Sequence, residues 1–211
     1  MTDQEERDSA ATRERLVDAT IELLAQRGNH ALRLADVAKE TGVAVSTIYA
    51  HFRDRTDLVA AARLKQFRAH ASEALKTVDL GLQSDGSWDG FVDVVFWPSL
   101  RSPDDAEGRV RRWDRIEAMA DSRHIPALAE QLTALQSELS LSAADLARRA
   151  QDKGWVDEEL DPLAISLLTQ VLRLGLALWD ISGEARPTQE AWSQVMHRVL
   201  GALAPPDQPS E

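Results

Sequence analysis

The chain has 211 residues, 44% of them hydrophobic and 28% charged, with a formal net charge of −11 at neutral pH. That is enough length for one large domain or two small ones, and the balance is that of a soluble globular protein rather than a disordered or fibrous one. Cysteine is absent, which excludes disulfides and thiolate metal sites and is compatible with a reducing cytoplasm.

In chain order the pattern is helical, with no convincing strand alternation. Residues 1–11 are polar and acidic, lack the apolar stretch of a signal peptide, and are expected to form a disordered tail. Leu16, Ala19, Thr20, Leu23 and Leu24 mark an amphipathic helix from about Thr12 to Arg27, closed by Gly28. A short helix from Leu34 to Glu40 turns Val37 and Ala38 inward. Gly42 supplies the left-handed conformation that ends it and turns the chain. The next helix runs from Ser46 to His51 with Ile48 and Phe52 on its core side. Asp54 or Thr56 then caps a long helix that continues to about Val78.

Beyond a Gly- and Ser-containing loop at 79–87, helices are expected over Trp88–Trp97, Arg109–Asp121 and Pro126–Lys153. The last two run from Pro162 to Ile181 and from Thr188 to about Leu203. Residues 204–211 hold three prolines and form a second disordered tail. The fold class is therefore all-α, with about nine helices: a small N-terminal three-helix head and a larger helical body. Leu163–Ile181 approaches the length of a bilayer span, but Gln170 and Arg173 near its middle favour a buried helix of a soluble protein.

Charge is unevenly placed. Between Arg27 and His70 eight basic residues face four acidic ones, a local surplus on an acidic chain. A basic island on an acidic body is the footprint of local nucleic-acid binding. Helix, glycine turn, helix is the helix-turn-helix arrangement, whose second helix enters the major groove.

Residues 28–59 carry Ala31-Leu32, Asp36-Val37-Ala38, Thr41-Gly42-Val43, Ser46-Thr47-Ile48-Tyr49-Ala50-His51-Phe52, Asp54-Arg55 and Leu58. This pattern resembles the N-terminal domain of the tetracycline-repressor (TetR) family of bacterial transcription regulators. Chain length and the two long terminal helices extend the likeness more weakly over the rest. The resemblance implies a helix-turn-helix domain over residues 12–55 and an effector-binding and dimerisation domain over residues 56–203. It implies a cytoplasmic protein that is not an enzyme, has no cofactor, metal or membrane partner, and represses transcription until a small molecule releases it. Its partners would be a palindromic double-stranded operator, an effector and a second copy of itself.

The residues assign roles within that frame. Tyr49, the only tyrosine, can hold its hydroxyl at fixed reach on a backbone phosphate while its ring packs on the scaffold. Thr47 and His51 reach a phosphate or a base edge, and Arg53 and Arg55 stand where a helix N-terminus already favours an anion. Ala44, Val45 and Ser46 open the recognition helix, yet none makes the bidentate contacts that dominate base reading. Arg33 stands where the family often has a Ser or Thr cap. It is the main candidate for base contact, with Lys39 as a weaker one.

Effector-pocket candidates are Phe67, Trp88, Phe91 and Trp97, then Arg109, Trp113, Met119 and Trp179. They are large, mostly apolar side chains plus a cation for an acidic ligand, and an ordinary core would use the same residue types. The nearly all-apolar helix after Asp161 requires a covering surface. Leu168, Leu172 and Gly175, with Trp192, Val195, Met196 and Val199 of the last helix, are the expected dimer interface. Competing readings are a constitutive DNA-binding protein and a helical-bundle enzyme. Against the enzyme, the sequence lacks the His-Glu-x-x-His, Gly-x-Ser-x-Gly and Glu-x-x-His patterns.

Overall fold

The computed structural model describes residues 3–83, 88, 92 and 104–206. The elements are α1 (Asp3–Ala31), α2 (Leu34–Thr41), α3 (Val45–His51), α4 (Arg55–Gln83), α5 (Ala106–Ser122), α6 (Pro126–Asp152), α7 (Pro162–Gly175), α8 (Ala177–Ile181), a 3-10 turn (Gly183–Ala185) and α9 (Gln189–Gly201). Every regular element among the described residues is helical, as the periodicity requires. Of the expected helix Trp88–Trp97, only Trp88 and Val92 are described, and both are helical. Phe91, Trp97 and residues 207–211 lie outside the described residues.

Two boundaries correct the sequence reading. Helix α1 begins at Asp3, so most of the expected N-terminal tail is helical, although residues 4–11 are exposed throughout. Good helix formers continue the turn upstream, and Gln4 donates to Asp8 one turn on. The helix expected from Pro162 to Ile181 is interrupted at Leu176, where ψ is −12°. Other ends fall where sequence chemistry puts them. Asp161 accepts from the Ala164 amide at 2.8 Å, with Pro162 in the first turn. The Thr188 hydroxyl accepts from the Ala191 amide at 3.2 Å.

The chain forms two compact units, residues 1–69 with 117–133 and residues 70–116 with 134–211. The first is the helix-turn-helix head together with the corner between α5 and α6. Its core gathers Leu16, Leu24, Val37, Ile48, Phe52 and Leu58, each at most 2% exposed. Ile125 of the corner packs on that cluster. The head therefore extends beyond residue 55 and recruits a distant segment. The short α2 and α3 bury little apolar surface alone.

The second unit packs Leu82, Trp88, Leu146, Ala150, Ile165, Met196 and Leu200 into one cluster. At one side Asp180 receives Arg112 at 2.7 Å and Arg109 at 3.3 Å. Burial pushes the Asp180 carboxyl up, but the two guanidiniums outweigh it and hold the group below the usual carboxylate range. A depressed folded-state pKa contributes stability that is complete above the unfolded value and is lost as pH falls through the folded one. Asp180→Asn should cost about 3 kcal/mol at neutral pH. It should also flatten the acid side of the stability profile below the ordinary aspartate value of 3.8. Denaturant melts followed by tryptophan fluorescence at several pH values measure both effects.

Candidate nucleic-acid interface

The geometry of the interface starts at Gly42. Its φ of 70° ends α2, and the Val43 amide closes the turn on the Ala38 carbonyl at 3.1 Å. The Arg15 guanidinium reaches across to the Thr41 carbonyl at 3.3 Å. Helix α3 has only seven residues and no side-chain cap, too short to be stable alone. Ile48 (0% exposed) and Phe52 (2%) hold it to the head core, each contributing about 1.5–3 kcal/mol of apolar burial. The Arg13 guanidinium lies 4.9 Å above the Phe52 ring. At the far end Asp54 accepts from the Asp57 amide at 2.9 Å, which decides the cap of α4 in favour of Asp54. Asp57 in turn accepts from the Arg53 amide at 3.1 Å.

With one face anchored, the other is bare. Tyr49 is 57% exposed and Val45 37%. Ala44, Ser46 and Arg53 are exposed, and Thr47 and His51 half-buried. Arg33 precedes α2 in an extended conformation, and its side chain makes no cap bond. Arg33 and Lys39 are exposed and enter no ion pair among the described residues.

Much of the basic island is neutralised within the head, which the sequence count did not reveal. Arg27 pairs with Asp36 at 3.2 Å and Arg53 with Asp57 at 3.6 Å. Arg63 is buried against Glu117 and Asp121. Lys65 donates to Asp18 and Glu14, which hold its ammonium above the usual lysine range.

Arg55 is engaged within the head. It is half-buried, and its guanidinium donates to the Leu32 carbonyl at 2.9 Å, to the Asn29 carbonyl, and to Asn29 Oδ1 at 2.6 Å. Those carbonyls follow the break at Gly28 (φ 69°), so Arg55 ties up the end of α1. Arg55→Ala should lower thermal stability by about 1.5–3 kcal/mol and leave the salt dependence of DNA binding unchanged. A slope shallower by about one unit would restore the phosphate role.

The remaining candidates separate. Phe67 (6% exposed) and Met119 (47% exposed) fall in the head's unit. Met119 is a surface residue, not part of an enclosed wall. In the larger unit Trp88 is core, Trp113 half-buried, and Arg109 is engaged by Asp180. Trp179 donates to Asp104 at 3.2 Å, stacks at a tilt 5.8 Å from Trp192 and lies beneath Arg186.

A polar cluster that the sequence reading overlooked runs through this unit. Arg115 donates to Gln136 at 2.6 Å and to Gln170 at 3.0 Å, and Gln136 and Gln170 are joined to each other and to Ser140. Burial pushes the Arg115 guanidinium down. Burial, then Arg115 and Arg111, do the same to Arg173. An open groove of about 560 Å³, lined by Leu75, Lys76, Asp79, Leu141, Ser142, Asp145 and Leu146, shares no residue with the expected pocket.

At the expected dimer face Met196 is 2% exposed and belongs to its own core. Leu168, Leu172 and Trp192 are partly buried against that core as well. The exposed stripe is offset from them: Leu163 (44%), Leu167 (58%), Val171 (55%) and Leu178 (67%), with Val195 (56%) and Val199 (37%) on α9. Gly175 is exposed on α7. Helices α7 and α8 together are long and apolar enough to cross a membrane by length and composition.

A short recognition helix anchored by two buried side chains, with polar tips turned outward, defines a helix-turn-helix DNA-binding protein. Residues 16–62 match the family model described as bacterial regulatory proteins, tetR family. That match makes the head a tetR-family DNA-binding domain. The chain is 23% identical over 203 residues to the HTH-type transcriptional regulator UidR of Escherichia coli K12, spanning 96% of this chain and 98% of that one. Its fold is similar to that of Salmonella enterica GusR, with a TM-score of 0.66, 20% identity, and coverage of 92% and 95%. It is also similar to a transcriptional regulator of Saccharomonospora viridis solved in complex with choline, with a TM-score of 0.65, 19% identity, and coverage of 91% and 96%.

Proposed function

We propose that the chain is a cytoplasmic, ligand-released repressor that binds a palindromic operator as a dimer through α3. The outward-facing tips of α3, set on a buried Ile48 and Phe52, carry the DNA part of this reading. Tyr49, Thr47 and His51 address phosphate, Arg53 reaches it from the following turn, Val45 packs on a thymine methyl, and Arg33 and Lys39 read or flank the bases.

The apolar stripe on α7, α8 and α9 supports the dimer. A row of half-exposed Leu and Val side chains is what a second copy covers in an isologous interface. Beside that stripe on α7, Gln170 is bonded into the polar cluster, which favours a protein surface over a bilayer. The ligand part rests on the Arg115, Gln136 and Gln170 cluster inside the larger unit. Desolvated cation and amide groups at one place suit a polar, acidic small molecule. The solved choline complex of a similar fold supports a small-molecule site in this architecture.

Ligand would shift the population toward a conformer with low DNA affinity. The deciding experiment is a thermal-shift screen of small molecules, followed by operator binding with and without each hit. All six tryptophans fall within the larger unit's residues, so their fluorescence reports ligand there. Hits that bind and leave operator affinity unchanged would favour the constitutive DNA-binding reading.

A further inference from the structure

The head contains a polar relay that neither capping nor core packing requires. Asp121, in the last turn of α5, accepts from Asn29 Nδ2 at 2.6 Å through one carboxylate oxygen and from Arg63 Nε at 3.0 Å through the other. Arg63 is 1% exposed and is also held by Glu117, one turn earlier on α5. Asn29 uses both ends of its amide: its nitrogen donates to Asp121, and its oxygen accepts from Arg55 at 2.6 Å. Arg55 opens α4 four residues after the recognition helix ends.

A surface carboxylate and amide with water on offer gain little from each other. Here both are half-buried, and each is held on its other side by an arginine. Such chains are charge-assisted and directional, so moving one member displaces the next. Asn29 also lies directly after Gly28, where φ of 69° breaks the helix. Its position is therefore set by its partners rather than by a helical ladder.

We propose that Asn29 and Asp121 are positioning residues for DNA binding: through Arg55 they couple the end of α5 to the placement of α3. The inference rests on the DNA-binding reading and adds a route for its regulation. α5 is one continuous helix from Ala106 to Ser122, with its first part in the larger unit and its last turns in the head. A displacement of α5 thus reaches the relay without crossing a loop. Linkage is reciprocal, so DNA on α3 must also alter order at the end of α5.

That reciprocity allows a test without the effector. The probe is a duplex selected from a randomised pool by the full-length protein. Backbone hydrogen exchange is measured on free and duplex-bound protein, for wild type, Asn29→Ala and Asn29→Asp. The second variant keeps an acceptor for Arg55 but sets two carboxylates against each other. In wild type the duplex should slow exchange in residues 45–52 and also in residues 117–122.

Both variants should keep the first protection and lose the second, with affinity down about tenfold and an unchanged salt slope. A plain structural brace would lower stability yet leave the distant protection in place. Protection of residues 117–122 that persists in the folded variants, or is absent in wild type, overturns the relay while leaving DNA binding intact. Failure to select any duplex overturns the DNA-binding reading instead, and the relay with it.

Discussion

Replacing Arg33 by Ala should cost about 1–3 kcal/mol, roughly 5- to 150-fold, on the preferred duplex and little on scrambled DNA. Three features single out this residue. Its side chain is exposed, makes no cap bond to α2, and enters no ion pair among the described residues. Arg27 and Arg53 are each partnered by an aspartate, and Arg55 and Arg63 are committed within the head. Direct base reading needs a donor fork, and Ala44, Val45 and Ser46 offer none. Competition binding with both duplexes at two salt concentrations checks the assignment. An equal loss on both, with a shallower salt slope, would make Arg33 a phosphate contact.

A double substitution of Leu167 and Val171 by Glu should convert the proposed dimer to a folded monomer. Both side chains are more than half exposed in the single chain, so their replacement should change its own stability by no more than about 0.5 kcal/mol. In a dimer they would sit at a desolvated interface, where four introduced carboxylates cannot be hydrated. Light scattering at micromolar concentration should show the mass halved. Affinity for a palindromic duplex should fall at least about 100-fold, because two heads spaced one DNA turn apart act as one ligand. A wild-type protein that is itself monomeric at that concentration would remove the interface. Met196→Ala is the control: its side chain is core, so it should destabilise the fold by about 2–5 kcal/mol without selectively altering assembly.

The helices themselves were legible because their signals are local. Asp161-Pro162, Thr188 and Gly42 act on their neighbours through capping and φ preference, and those ends fall where the residues put them, while Gly28 breaks α1 without ending it. Residues 1–11 misled because polar, acidic composition resembles disorder, whereas it also suits a solvated first turn of helix. The interruption at Leu176 was invisible for the opposite reason: apolar periodicity continues straight through it.

By itself the sequence determined the all-α class, the helix-turn-helix motif and the outward set of Tyr49, Thr47 and Val45. Each follows from periodicity and spacing within a few turns of chain. The tertiary structure alone decided which charges are spent. Arg63 meets Glu117 and Asp121 more than fifty positions away, Lys65 meets Glu14 and Asp18, and Arg55 closes on Asn29 and Leu32. It likewise decided which apolar faces are buried, turning Met196 inward and leaving Leu167 and Val171 outward. A charge count adds residues wherever they stand, but an ion pair depends on distance in space, and that is set only when helices remote in sequence pack together.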